Sequence, residues 1–217
     1  MNLRDLIDRY RKDTRDLKKP YFCDDEELIY FANQAEEEAC RRALLIVDST
    51  SDLAQIEILA GDEGVELDER VIYVRRARLS SRARPLALKV ARAMDEECPG
   101  WEDARASVPV AAIPDWQSGY LRFWPPSANA DVLKATVVRT PRRRMERDDD
   151  SPEIPARYHA FLLHWIKHLA YSKQDSDMFS QGRADEFAAK FAAEFGPPRA
   201  AIDEHWAEEQ YYDVGNH

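Results

Sequence analysis

The sequence predicts an α+β protein with helices at both ends and a β-rich middle. Apolar residues recur at intervals of three and four near both ends of the chain, as they do on one face of a helix. Between about residues 55 and 139 the interval falls to two, which is typical of half-buried strands. With 217 residues, the chain is long enough to bury one sizeable core, or one core and a satellite.

Two helices are predicted before the β-rich middle. The first runs from Asn2 to about Lys12 and is amphipathic, with one apolar stripe and otherwise charged faces. That stripe consists of Leu3, Leu6, Ile7 and Tyr10. Asp24 and Glu27 have the spacing of a capping box and begin a long second helix, which we expect to end near residues 48–51. Its apolar residues, several of them small enough for close helix packing, are Leu28, Phe31, Ala32, Ala35, Ala39, Ala43 and Leu44.

The β-rich middle opens with a predicted hairpin. Residues 55–59 and 65–67 alternate between apolar and polar side chains, and a glycine-bounded turn at 61–64 separates them. A tight turn is expected at 114–118 and a short helix at about 88–94. Further strands are predicted over 71–79, 108–113, 119–124 and 131–139. Such short strands predict a small sheet or sandwich that rests on the helices.

Two more helices are predicted after a loop at 141–155. Pro155 suits the first turn of the third long helix, because proline fixes φ near its helical value. This helix has the most strongly apolar face in the chain, made of Tyr158, Phe161, Leu162, Trp165, Ile166, Leu169 and Ala170. The last helix covers 185–195, and the Gly-Pro-Pro sequence at 196–198 ends it.

The composition points away from general nucleic-acid binding and from membranes. The formal net charge is −10, whereas phosphate binding needs clustered cations. Three cysteines without C-x-x-C spacing indicate a reducing compartment. The amino terminus lacks the apolar core of a signal peptide, and no apolar run approaches the roughly 20 residues that span a bilayer. We therefore expect a soluble protein without a membrane partner, which stays in the compartment where it is made.

No catalytic signature is found. The chain has no G-x-S-x-G nucleophile motif and no glycine-rich phosphate loop. The carboxylates of Glu36, Glu37 and Glu38 resemble a catalytic group, but on a helix such a run favours a solvated face. We expect neither an enzyme nor a bound cofactor.

The best candidate for a metal site is a pair of histidines. His164 and His168 lie four residues apart on one predicted helix, near His159, and a third ligand would come from Asp175 or Asp177. This pattern would suit a metal-dependent hydrolase, but the general-base glutamate of H-E-x-x-H is missing. The favoured interpretation is that these histidines flank a packed helix face.

A basic stretch is the best candidate for a nucleic-acid interface. Its arginines are Arg70, Arg75, Arg76, Arg78, Arg82 and Arg84. In a regular strand Arg76 and Arg78 would share one face and Arg75 the other, so the three would not form one patch. We therefore expect Arg75, Arg76 and Arg78 to pair with acids of a neighbouring subunit or helix, because arginine makes bidentate contacts with carboxylates. The alternative is a DNA-binding protein that uses this stretch.

The carboxyl-terminal tail carries three aromatic residues among acids. Trp206, Tyr211 and Tyr212 follow the double proline and are spaced too irregularly for one helical stripe. Exposed aromatics of this kind are typical anchors for a partner surface. The alternative is a tail that folds back on its own core.

Five parts of the chain, taken in order, carry a family resemblance. They are DDEELIYFANQAEEEACRRA with LIVDST, EILAGDEGVELDERVIYVRRARL, PGWEDA, SPEIPARYHAFLLHWIKHLAYSKQDSDMF and FAAEFGPPRAAID. With these segments the chain resembles the adaptor, or head-to-tail connector, proteins of tailed bacteriophages. The resemblance covers roughly Leu3 to Asp203. It implies a helical bundle from residues 1–53 and 151–195, an inserted antiparallel β region from 54–150, and a tail from 196–217.

The resemblance also implies a function and partners. An adaptor of this family forms a dodecameric ring beneath the portal, with tail or nozzle proteins below it. DNA passes through the middle, and a negatively charged ring would let it slide without specific binding. The carboxyl-terminal segment reaches the portal, which makes Trp206, Tyr211 and Tyr212 the candidate portal-binding residues. The expected location is the head-to-tail junction of the virion, with assembly in the host cytoplasm.

Overall fold

The computed structural model describes residues 1–174 and 178–198, and within these ranges it confirms the predicted α+β class. The α helices are α1 Leu3–Thr14, α2 Asp25–Ala43, α3 Ala91–Glu97, α4 Leu162–Ser172 and α5 Gln181–Phe195. The strands are β1 Ile46–Asp48, β2 Gln55–Ile58, β3 Gly64–Glu66, β4 Val71–Leu79, β5 Ala87–Leu88, β6 Ala111–Gln117, β7 Tyr120–Trp124 and β8 Asp131–Arg139. None of the helices in the described part of the chain is long and apolar enough to cross a membrane.

The described residues divide into two compact units. The helical unit consists of Met1–Ile46 and Thr140–Pro198, and the β unit consists of Val47–Arg139. In the helical unit, α1, α2, α4 and α5 contribute to one apolar core. Among its buried side chains are Leu3, Leu6, Tyr10, Leu28, Phe31, Ala35, Leu162, Ile166, Phe191 and Phe195.

Helix α2 begins where the sequence predicts but ends earlier. The Asp24 carboxylate accepts a hydrogen bond from the Glu27 N–H at 2.8 Å, and the Glu27 carboxylate accepts one from the Asp24 N–H at 3.2 Å. The helix stops at Ala43 because Leu44 adopts a left-handed conformation with φ 54°. The chain then enters β1, which pairs with β8, so the predicted end at 48–51 is wrong. Pairing with a strand about 90 residues away overrides the local helical pattern.

The two helices after the loop pack face to face within the helical unit. Pro155 precedes a 3-10 helix, Ala156–Phe161, which leads into α4. Helix α5 starts four residues before its predicted start and ends at Phe195, and the next residue, Gly196, has a φ of 91° that suits glycine. Between the two helices the rings of Trp165 and Phe191 lie 4.9 Å apart. These contacts explain why both helices have broad apolar faces.

The β unit contains two four-stranded sheets that share one apolar core. In the first sheet β8 is central and pairs with β1, β2 and β4. In the second sheet the order is β3-β7-β6-β5, with β5 parallel to β6 and the other pairs antiparallel. The shared core includes Ile58, Val74, Ala77, Leu79, Leu121, Phe123, Leu133 and Val137.

The predicted hairpin of β2 and β3 is not formed. Strand β2 pairs with β8 in the first sheet, and β3 pairs with β7 in the second. The turn between them carries the chain from one sheet to the other, and there the Gly61 N–H donates to the Ser127 carbonyl at 2.7 Å. The sequence correctly locates the turn, but each of the two strands pairs with a longer strand, β8 or β7, and not with the other.

Two further elements of the β unit differ from the prediction. Strand β6 continues through the expected turn at 114–118 to Gln117, and the turn itself lies at 118–119, where Gly119 has a φ of 71°. Its pairing with β7 is irregular between Ile113 and Gln117, because Pro114 has no N–H to donate. Helix α3 begins at Ala91, three residues later than predicted, because 87–88 form β5.

Candidate functional site

A β-bulge in β4 places two arginines together on the surface of the β unit. Val74 and Arg76 face successive residues of β8, so Arg75 is an extra residue without a partner in the register. Arg75 and Arg76 are both exposed, while Val74 and Ala77 on either side are buried. The expectation that Arg75 and Arg76 occupy opposite faces is therefore wrong. Neither guanidinium makes a hydrogen bond or ion pair with another described residue.

Three other arginines of the basic stretch have local partners. Arg70 makes two hydrogen bonds to the Asp68 carboxylate, at 2.7 and 2.8 Å. Arg78 donates to the Arg82 carbonyl at 2.7 Å, and Arg82 donates to the Pro109 carbonyl at 2.6 Å. The structure thus separates the stretch into three arginines that hold the loops of the β unit and three that are exposed, Arg75, Arg76 and Arg84.

A second exposed feature of the β unit is the tip of the β6–β7 hairpin, where Trp116 is 38% exposed. The guanidinium of Arg122, only 8% exposed, lies 4.3 Å from the Trp116 ring and 5.0 Å from the Trp101 ring. Trp101 meets Trp116 edge to face at 5.2 Å and donates its indole N–H to Asp95 at 2.9 Å. This packing holds an amphipathic ring in place at the surface.

Acidic side chains surround this hairpin. Burial raises the pKa of Tyr120, and the negative charges of Glu63, Asp62 and Glu66 raise it further, against the opposing positive charge of Arg122. Glu63 and Glu66 are exposed, and Glu66 lies opposite Tyr120 in the β3–β7 register. We refer to Glu63, Glu66, Trp116 and Tyr120 as the hairpin patch. Our sequence analysis missed it, although an aromatic residue beside a tight turn is a recognisable pattern.

Buried polar contacts in the helical unit have a structural role. Glu36 on α2 is only 1% exposed, so its assignment to a solvated face is wrong. Its carboxylate accepts hydrogen bonds from the N–H groups of Glu153 and Ile154, and burial raises its pKa to about 7. The Ile154 carbonyl lies 2.9 Å from Nε2 of His159, whose Nδ1 lies 2.9 Å from the Met1 carbonyl. These contacts fasten the loop before α4 to α2 and to the amino terminus.

The histidines considered as metal ligands pack against α5. Nδ1 of His168 lies 2.9 Å from the Ala184 carbonyl. The His164 ring stacks on Phe187 at 6.2 Å, and burial lowers the pKa of His164. Within residues 1–174 and 178–198, no group of three or more His, Cys, Asp or Glu side chains could hold a metal ion. The aspartates considered as a third ligand, Asp175 and Asp177, lie outside the described residues.

The three aromatics considered for portal binding lie beyond the described part of the chain. Trp206, Tyr211 and Tyr212 all follow Pro198, the last residue whose placement is described. Their role therefore stays a prediction.

Comparison with known proteins identifies the family. A family model described as SU10 adaptor protein matches residues 1–211, which is nearly the whole chain. A search of curated proteins finds no match. Phage adaptors are structural components of the virion, and their partners are other head and tail proteins of the phage. The chain belongs to the SU10 adaptor protein family, and its resemblance to phage head-to-tail adaptors is thereby confirmed.

Proposed function

We propose that the chain is a ring subunit that joins the portal to the tail of a tailed phage and continues the DNA channel. The match to the adaptor family over residues 1–211 carries this proposal. The ring is a dodecamer at the head-to-tail junction, with the portal on one side and tail or nozzle proteins on the other. Subunits assemble in the host cytoplasm, and DNA passes through the ring without specific binding.

The helices act as the scaffold of the subunit. We propose one bundle from residues 1–53 and 151–195, with 54–150 as an inserted region and 196–217 as a tail. The common core of α1, α2, α4 and α5 supports this arrangement. A bundle tied together by buried side chains would hold the surfaces of each subunit in a fixed orientation, as ring closure requires.

The arginines of β4 act in contacts between subunits. Arg75 and Arg76 are exposed and have no acidic partner among the described residues, so their guanidiniums are available to carboxylates of a neighbouring copy. Arg78 contributes to this contact by holding the end of β4 in place, because its hydrogen bond to the Arg82 carbonyl fixes the turn that follows the strand.

The tail binds the portal through Trp206, Tyr211 and Tyr212. The deciding experiment is a pull-down with the portal protein of the same phage, using the full chain and a variant that lacks residues 197–217. We expect the full chain to bind and the truncated chain to lose most of its binding. Unchanged binding after truncation would contradict the role of the tail, and no binding by either chain would contradict the adaptor function.

One observation favours a second candidate function, DNA binding during packaging or replication. The bulge brings Arg75 and Arg76 to the same exposed side, and Arg84 is exposed as well. Such a function predicts retention on DNA that weakens steeply with salt, because each phosphate contact releases counterions. The adaptor function predicts little retention at physiological salt, given a net charge of −10. Salt-dependent retention that disappears in an Arg75→Ala, Arg76→Ala variant would favour the second candidate.

A further inference from the structure

The two exposed features of the β unit have complementary chemistry. The hairpin patch offers two exposed carboxylates, Glu63 and Glu66, beside the partly exposed ring of Trp116. The bulge of β4 offers Arg75 and Arg76, which lack an acidic partner among the described residues. One surface therefore carries exposed carboxylates, and the other carries exposed guanidiniums.

The patch is also suited to arginine by geometry. A guanidinium is flat, so it can stack on an indole face while its N–H groups bind carboxylates. The structure already contains such a contact at this hairpin, since Arg122 lies 4.3 Å from the Trp116 ring and 3.6 Å from the Glu63 carboxylate. Tryptophan, tyrosine and arginine are the residues that contribute most to binding energy at protein interfaces.

We propose that the hairpin patch of one copy binds Arg75 and Arg76 of a second copy. This inference rests on the proposed ring function and names the two surfaces that meet between neighbours.

The proposed contact is of the kind that builds rings. A reciprocal contact would close a two-fold dimer, whereas a ring requires the head-to-tail form, in which two copies in contact leave one surface of each kind unoccupied. A third copy can then add in the same way, and the series closes when the rotation between copies allows it. Charge complementarity fixes the order and register, because like-charged surfaces repel each other.

The test is a charge swap in the full chain, followed by sedimentation velocity at rising concentration, alone and with the portal protein of the same phage. One variant carries Arg75→Glu and Arg76→Glu, and another carries Glu63→Lys and Glu66→Lys. A third combines all four changes. Arg92→Glu and Glu96→Lys serve as matched controls, because both side chains are exposed on α3, at 82% and 65%. Circular dichroism verifies that each variant is folded.

We expect each double variant to weaken self-association by about tenfold or more, since several close charge pairs turn repulsive. The fourfold variant should recover association, and the controls should behave as the wild-type chain. Trp116→Ala should weaken association without any change of charge. Failure of the fourfold variant to recover would overturn the pairing of these two surfaces.

Two other outcomes separate this proposal from the proposed function. If the wild-type chain assembles and the Glu63→Lys, Glu66→Lys variant assembles equally well, the hairpin patch is not the contact, and the ring function stands. If the wild-type chain stays monomeric at every concentration and also on the portal protein, both proposals fail.

Discussion

At the scale of single residues, Glu36 shows how backbone N–H groups can hold a buried carboxylate. Its carboxylate accepts hydrogen bonds from the backbone N–H groups of Glu153 and Ile154. Burial disfavours the charged form, and it outweighs these bonds, so the pKa rises from its ordinary 4.5 to about 7. The folded protein therefore binds a proton at this site more tightly than the unfolded chain does.

This difference predicts a dependence of stability on pH. Between about pH 4.5 and 7 the folded state holds more protons, so the free energy of unfolding should fall as pH rises and then level off. Glu36→Gln keeps an accepting oxygen and removes the charge, and should flatten this slope. At pH 8 we expect the variant to be more stable than the wild-type chain by about 1–3 kcal/mol. Urea unfolding at pH 5 and pH 8 measures the effect, with exposed Glu37→Gln as the control. If the unfolding free energy changed equally between pH 5 and pH 8 in both variants, Glu36 would not be the source of the pH dependence.

The buried pair of Asp48 and Arg139 behaves in the opposite way. Burial favours protonation of Asp48, but hydrogen bonds from the Thr50 N–H, from Arg139 and from Ser51 outweigh it and lower the pKa of Asp48. Nε of Arg139 lies 2.7 Å from the carboxylate, and both side chains are almost fully buried. The ionised pair is therefore the stable form in the fold at neutral pH.

Removal of one charge from this pair should be costly. Asp48→Asn removes the anion that lies 2.7 Å from the buried Arg139 guanidinium, and we expect a loss of about 3–5 kcal/mol at pH 7. Chemical denaturation at pH 7 measures it. Glu96→Gln is the control, because it breaks an exposed ion pair with Arg92 that contributes at most about 1 kcal/mol. Equal losses in the free energy of unfolding for the two substitutions would show that the buried pair of Asp48 and Arg139 contributes no more to stability than an exposed pair.

Sequence patterns alone could not have located these residue-scale features. Three successive glutamates on a helix favour solvent, and the burial of Glu36 comes from a loop more than 100 residues later in the chain. The exposure of Arg75 and Arg76 on the same side depends on one extra residue in β4, which only the pairing with β8 defines.

At the scale of elements, the features predicted best are those that depend only on residues close together in sequence. The capping box of α2 lies within four residues, and it forms as the sequence indicates. The end of α2 and the partners of β2 and β3 depend on β8 and β7, which lie far along the chain. Their strand character was predicted, but strand pairing is a competition among distant segments that alternation alone does not decide.

The cap of α2 can be tested directly. Asp24→Ala removes the carboxylate that accepts the Glu27 N–H, and we expect a loss of about 1 kcal/mol in the free energy of unfolding. Asp24→Ser retains an accepting oxygen and should lose only a few tenths of that value. Thermal and urea unfolding of both variants measures the difference. A loss that is equal for alanine and serine would mean that the hydrogen bond contributes nothing.

At the scale of the whole molecule, periodicity predicted the α+β class because helices and strands occupy separate stretches of the chain. The two units bury different side chains: Phe191 is fully buried in the core of the helical unit, and Leu133 is fully buried in the core of the β unit. Each core is assembled from segments that lie apart in sequence, so the sequence patterns identify apolar faces but do not say which faces meet.

Because the two units have separate cores, we expect a cavity-forming substitution in one core to destabilise mainly the unit that contains it. Phe191→Ala removes a ring that packs 4.9 Å from Trp165, and we expect it to cost about 3–5 kcal/mol. Leu133→Ala should cost about 2–5 kcal/mol for the same reason, since each leaves a cavity in a packed core. Hydrogen exchange read out by mass spectrometry should show faster exchange in α4 and α5 for the first variant. For the second variant it should show faster exchange in β4 and β8. A uniform increase over both units in either variant would show instead that the described residues unfold as a single cooperative body.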